Sequence, residues 1–157
     1  MSTAAETSDT LGPVEHRPVD ASILDWIAQW EACIRARDYR AARPLFREDV
    51  LGFGTHSRIA CGLDELEKQQ WRQVWPGIDD FRFELAELRV SVSPDGQLAC
   101  AMLPWTSIGH SEDGAPFRRP GRATLLLASE AGDWKGFHTH FSLNPGTAPH
   151  TFAPPTR

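Results

Sequence analysis

Two histidines one residue apart, His138 and His140, are the side chains best suited to proton transfer at neutral pH, because imidazole titrates near about 6.5. They lie in Trp134-Lys135-Gly136-Phe137-His138-Thr139-His140-Phe141-Ser142. Ala131-Gly132 before and Asn144-Pro145-Gly146 after are turn signals, and the run between them is too short and too rich in β-formers for a helix. Side chains of a regular strand alternate between faces. Trp134, His138, His140 and Ser142 then share one face, and Lys135, Phe137, Thr139 and Phe141 the other. The expectation is that the histidine face floors a polar-lined pocket, with His138 and His140 as catalytic acid/base groups or donors, and that the phenylalanine face packs. The plainer reading is a hydrogen-bonded histidine pair in a semi-polar interior. As metal ligands the two need a third partner. His56, from the rim after the first strand, or an Asp or Glu from a loop could approach, and no bound metal or other cofactor is expected.

A second constellation is Arg118-Arg119-Pro120-Gly121-Arg122. Arg122 and Thr124 share a strand face, with Arg119 opposite unless Pro120-Gly121 bends the chain. A guanidinium inside an apolar cavity seeks an anion, which makes Arg122 the candidate anchor. At a strand edge it would instead pair with Glu84, Glu87 or Asp113. The third constellation is aromatic. Trp30, Trp71, Trp75 and Trp105, with Phe53, are candidate walls of a small-molecule cavity, and Trp26 joins them on the first helix. Tryptophans on a helix stripe are core residues in most proteins, but one stripe can serve both purposes. Cys61 and Cys100 have no adjacent base and are not read as nucleophiles.

The elements that must position these groups fit within 157 residues, a single-domain length, with 41% hydrophobic residues to build a core. A net charge of -5 without a basic run disfavours nucleic acid and anionic membranes as partners. No apolar stretch approaches membrane-spanning length, and Met1–Asp20 lacks the pattern of a secretory signal. Three cysteines, widely spaced, read as buried free thiols, and a cytoplasmic location follows.

Residues 1–20 read as a flexible arm and residues 145–157 as a Pro-rich tail that Phe152 could dock. Ile23, Trp26, Ile27, Trp30, Cys33 and Ile34 make one helical stripe, capped by Asp20 or Ser22. Asp38 caps a second short helix running from Tyr39 to about Phe46, limited by Pro44. Val50–Gly54 reads as the first strand, its glycine pair marking close backbone approach or a bend. A third helix spans Asp64 to about Val74, with Asp64 and Glu67 at capping-box spacing. From Phe81 on, the chain reads as strands. Apolar residues move from odd to even positions between Phe81 and Ser93, so a bulge or sharp bend is expected near Leu85–Leu88. Leu98–Leu103 and Ala123–Ala128 are apolar on both faces. Helices can cover only one face, so the other is expected to meet a second subunit.

The order αα-β-α-ββββ, with one long bent strand, resembles the NTF2-like superfamily. Asp38-Tyr39-Arg40-Ala41-Ala42-Arg43-Pro44-Leu45-Phe46-Arg47-Glu48-Asp49-Val50 resembles its D-x-x-a-x-x-x-L-F-x-x-D-v opening. Trp134 to Ser142 resembles the W-x-x-V-H-x-H-x-S ending of the kinase-association and SnoaL-like branch. Over about residues 21–144 the resemblance implies an α+β cone, three N-terminal helices packed on a strongly bent, mostly antiparallel sheet. It also implies one of two roles. The first is a SnoaL-like small-molecule-binding protein or enzyme, taking a hydrophobic or aromatic ligand that can carry an anion, with isomerase, cyclase or dehydratase chemistry. The second is a non-catalytic association module; a homodimer suits either. Ketosteroid isomerase belongs to the same superfamily, but its activity is not expected: aligned through Asp38–Phe46, the resemblance places its oxyanion-hole tyrosine at Trp30 and its general-base aspartate at Gly54, which has no side chain.

Overall fold

The computed structural model describes residues 20–153. The arm expected at residues 1–20 lies outside the described residues except for Asp20. Helix α1 spans Ala21–Ala36, and the Asp20 carboxylate accepts from the Ser22 amide at 2.9 Å. All six residues of its apolar stripe are buried. The helix stops at Arg37, whose left-handed backbone (φ 54°) returns its N–H to the carbonyls of Cys33 and Ile34. Asp38 caps α2, Tyr39–Ala42, through the Ala41 amide. Pro44 then tightens the chain into a 3₁₀ turn over Arg43–Leu45. The first strand, β1, begins earlier than its Val-Leu-Gly-Phe-Gly core suggests and covers Phe46–Phe53. A two-residue strand β2, Ala60–Cys61, pairs with it.

The third helix is built in three pieces: α3 at Leu63–Leu66, a π-helical turn at Glu67–Trp71 and α4 at Arg72–Val74. The wide turn brings Leu66 and Trp71, five apart, onto one inner face, where both are buried. The capping box expected from Asp64 and Glu67 does not form, because the helix starts one residue earlier, after Gly62. Both carboxylates instead accept from Arg43, at 2.6 and 2.7 Å.

The sheet runs β2-β1-β7-β6-β5-β3, and a further strand, β4, also pairs with β5. The strands are β3 at Ile78–Phe83, β4 at Arg89–Val92, β5 at Leu98–His110, β6 at Pro116–Glu130 and β7 at Asp133–Leu143. Among the described strands only β1 and β7 pair in parallel. The shift of apolar parity after Phe83 is a 3₁₀ turn at Leu85–Glu87, which divides the expected long strand into β3 and β4.

A second irregularity decides which residues face the helices. In the β6–β7 ladder Leu126 pairs with His138, but Leu127 pairs with Gly136. Phe137 is therefore the extra residue of a β-bulge, and alternation reverses there. Before the bulge Gly136 points inward, where an added Cβ would lie 2.7 Å from the Phe46 ring. After it Thr139 and Phe141 point inward, with Thr139 1% exposed. The assignment of His138 and His140 to the pocket face is thus corrected: both lie on the outer, convex side.

The C-terminal segment is tied down by Thr151, whose hydroxyl accepts from the His110 amide (2.8 Å) and donates to the Gly77 carbonyl (2.6 Å). The Phe152 amide bonds the His110 carbonyl, while its ring stays exposed. The backbone and Thr151, not the Phe152 ring, dock this tail. Cys33 is buried and Cys100 half-buried, but Cys61 on edge strand β2 is exposed, contrary to the buried-thiol expectation. Among the described residues no helix is long and apolar enough to cross a membrane.

Candidate ligand cavity

The helices and the concave face of the sheet enclose one well-formed apolar cavity. Trp30 and Ile34 reach it from α1, Gln70, Trp71 and Val74 from the third helix, and Trp75 from the turn after it. From the sheet come Phe81, Trp105, Arg119, Thr139 and Phe141, with Gly54 and Thr55 following β1. Space for the centre of a water molecule amounts to about 50 Å³, room for roughly three to five waters at ~10–15 Å³ each.

Aromatic stacking fixes the walls. Trp71 stacks on Trp75 at 5.1 Å between centroids and Trp75 on Tyr39 at 5.2 Å; the Arg72 guanidinium caps Tyr39 at 4.3 Å. The spacing of four between Trp71 and Trp75 places one above the other on the helix. Across the cavity, Trp105 lies flat against Phe81 at 5.7 Å. Trp105 reaches this place only because Gly121 on β6 has no side chain: a Cβ there would lie 2.3 Å from the indole. The Gln70 amide likewise occupies the space left by Gly52 and Gly54, where an added Cβ would fall 3.2 and 2.7 Å from it. The glycine pair in β1 serves close approach by a helix side chain.

Arg119 is the one ionisable residue in the lining. It is 2% exposed. Its Nη2 donates to the Thr55 hydroxyl at 3.1 Å, its Nε has no partner, and its guanidinium carbon stands 5.7 Å from the Trp105 ring centroid. No carboxylate among the described residues pairs with it. Burial alone pulls its pKa down to about 10. Three further lining residues carry buried N–H groups without partners: Trp30 Nε1, Trp105 Nε1 and Gln70 Nε2.

The sequence-derived site residues divide accordingly. Trp30, Trp71, Trp75 and Trp105 line the cavity. Phe53, Arg122, Thr124, His138 and His140 do not. Phe53 meets both histidine rings edge-on, at 4.9 and 5.3 Å, on the convex side. The His138 Nδ1–H donates to the Leu51 carbonyl at 2.8 Å, as it must, since a carbonyl only accepts. Arg122 Nε donates to Ser142 Oγ at 3.1 Å, beside an open outer groove that Thr124, His140 and Glu87 also line. The candidate third metal ligand, His56, is exposed and stands near His150, with rings 6.4 Å apart. Among the described residues no three His, Cys, Asp or Glu side chains gather as a metal site. Missed at the sequence level were Arg119, Gln70, Thr55, Thr139, Phe81 and Phe141. For Arg119 a signal existed: it shares strand parity with Gly121, Ala123, Leu125 and Leu127, the small and apolar side of β6.

The architecture has counterparts among known proteins. The SnoaL-like domain pattern matches residues 23–145. The chain belongs to this family. The SnoaL-like domain described here is similar in fold to an NTF2-like superfamily protein from Salmonella enterica serovar Typhimurium. That match has a TM-score of 0.69 and 17% identity and covers 82% of this chain and 92% of that one. A ketosteroid isomerase-like protein from Erwinia carotovora atroseptica superposes with a TM-score of 0.67 and 18% identity, covering 78% and 94%. A type 2 hexachlorocyclohexane dehydrochlorinase gives 0.68 and 16%, covering 86% and 93%. At these identities the likeness is one of fold. No curated protein sequence matches the chain. The SnoaL-like domain thus has the α+β NTF2-like architecture, three helices against a mostly antiparallel mixed sheet.

Proposed function

We propose that this SnoaL-like domain binds a compact small molecule with an apolar, flat body in the cavity between the helices and the sheet. The observation that carries the reading is the lining itself: four tryptophans and two phenylalanines around a void, with no Asp, Glu, His, Cys, Lys or Tyr among the lining residues. Acid/base chemistry of the isomerase, cyclase or dehydratase type needs a group that gives or takes a proton within hydrogen-bond reach of substrate. His138 and His140 face away from this space, so binding is favoured over proton-transfer catalysis. The test is titration with toluene and with benzamide, read by tryptophan fluorescence and by melting temperature. A ligand at about a hundredfold its Kd stabilises by about 2.7 kcal/mol, an easily resolved shift. If neither compound alters fluorescence or melting at millimolar concentration, the cavity is not a binding site for such bodies.

A second reading, self-association, concerns a separate surface and is favoured by exposed apolar residues on the convex face. Leu98 is 49% exposed and Met102 40%, with Cys100 and Leu126 half-buried beside them. We propose a homodimer through this face, in the cytoplasm, where the free thiols stay reduced. Burial there contributes roughly 25 cal/mol per Å² of apolar area. Leu125 is fully buried, so Leu126 is the outward residue of the pair. Leu126→Glu is expected to convert a dimer to monomer in sedimentation velocity. A wild-type protein that sediments as a monomer at micromolar concentration removes the dimer.

A further inference from the structure

The fully buried side-chain polar atoms of the cavity lining that lack a partner are all nitrogen donors. Arg119 Nε, Gln70 Nε2, Trp30 Nε1 and Trp105 Nε1 are each buried without a partner, and all four residues line the same space. A buried donor left unpaired is costly, and a buried guanidinium without a counter-charge more so. A lining evolved only to hold a neutral hydrocarbon needs none of them. The Thr55 hydroxyl accepts from Arg119 Nη2 and so fixes the plane of the guanidinium while leaving Nε free. The Arg119 stem is held too: its Cδ lies against Gly109, where an added Cβ would come within 2.8 Å. The cation is therefore positioned on a rigid strand beside an aromatic wall and lacks only an acceptor.

We propose that the ligand of this cavity is a compact monocarboxylate with an apolar, preferably aromatic, body, its carboxylate accepting from Arg119 and its body lying between the tryptophans. This deepens the small-molecule reading above and rests on it. A single cation with otherwise neutral donors matches one negative charge. The planar, bidentate carboxylate is the partner that guanidinium geometry suits. The void admits a body of about benzoate size, since three to five waters displace roughly the volume of such a molecule at ~30 Å³ each.

The experiment compares benzoate with benzamide, which keeps the size and plane but has no charge and puts a donor where benzoate has an acceptor. Calorimetric titration of the full chain near neutral pH is expected to give benzoate an affinity at least about tenfold above benzamide, a factor within reach of one charge-assisted pair. Arg119→Met is expected to abolish that preference while benzamide still binds. Thr55→Val, which loosens the guanidinium without removing it, is expected to weaken benzoate by less. If toluene or benzamide binds but benzoate has no advantage, or if Arg119→Met keeps the advantage, the carboxylate assignment is overturned and the apolar-cavity reading stands. If none of the three compounds binds, both fall. Should Arg119→Met fail to fold, the benzoate-to-benzamide ratio of wild type and the response of Thr55→Val still decide: no wild-type preference overturns the proposal, and a preference weakened by Thr55→Val supports it.

Discussion

Trp30→Ala is expected to lower stability by about 3–5 kcal/mol, the range for removing a fully buried aromatic side chain. Trp30 is 2% exposed and joins four elements. Its indole meets Phe46 of β1 edge-on at 4.9 Å and Phe141 of β7 at 5.5 Å. It tilts against Trp26 one turn away at 5.4 Å and against Phe83 of β3 at 5.8 Å. Each such pair adds about 0.5–1.5 kcal/mol beyond its buried area. The neighbours are themselves held by the sheet, so the space left cannot close. A domain of this size has about 5–15 kcal/mol in all, so the variant loses a large share of it. The check is the shift of the urea midpoint at unchanged slope. The variant should also accept a larger apolar ligand than wild type, because Trp30 lines the cavity. A loss below about 1 kcal/mol would mean that this wall collapses freely and that α1 is not anchored as described.

How far the sequence carries the reader depends on whether a regular period persists. The six-residue stripe of α1 keeps the 3.6 period without interruption, and all six residues are buried. The change of parity after Phe83 was legible as a bulge or sharp bend near Leu85–Leu88, and a 3₁₀ turn at Leu85–Glu87 supplies the bend. The bulge at Phe137 left no such trace. Residues on both sides of it, Trp134, His138 and Phe141, are large or amphipathic enough to sit on either face, so no run of apolar residues changes parity. One extra residue then moves His138 and His140 to the outside. On β6 the error lay in ranking Arg122 above Arg119. The inward series Gly121, Ala123, Leu125, Leu127 ends in a charged residue, and a charge is ordinarily assigned to solvent. Gln70 was hidden by the π-helical turn, which rotates Gln70 and Trp71 relative to a regular helix.

Arg119→Met is expected to stabilise the ligand-free protein, by about 1–4 kcal/mol if it follows other replacements of buried charges by packed apolar groups. The guanidinium gives up its hydration on folding and gains one hydrogen bond, to Thr55, and the face of Trp105 at 5.7 Å. The drop in its pKa to about 10 corresponds to a cost on the order of 3 kcal/mol, partly offset by the cation–π contact at about 0.5–2 kcal/mol. Methionine fills much of the same channel and carries no charge. The pH dependence fixes the sign. The folded pKa lies below the unfolded one, so the cost is present in full below about pH 10, where both states carry the proton. Above about pH 10, until the unfolded chain too gives up its proton, the unfolded chain holds more protons than the folded one. Wild-type stability therefore rises relative to the variant as pH climbs through that window. Melting both proteins at about pH 8 and again at about pH 11 checks it: the advantage of Arg119→Met should shrink at the higher value, with background titrations cancelling in the difference. A variant less stable than wild type at the lower pH would show that Arg119 holds the cavity together, and the argument from an uncompensated charge would go with it. Saturating wild type with a bound carboxylate should remove the same deficit from the other side, by adding the missing acceptor and not by removing the donor.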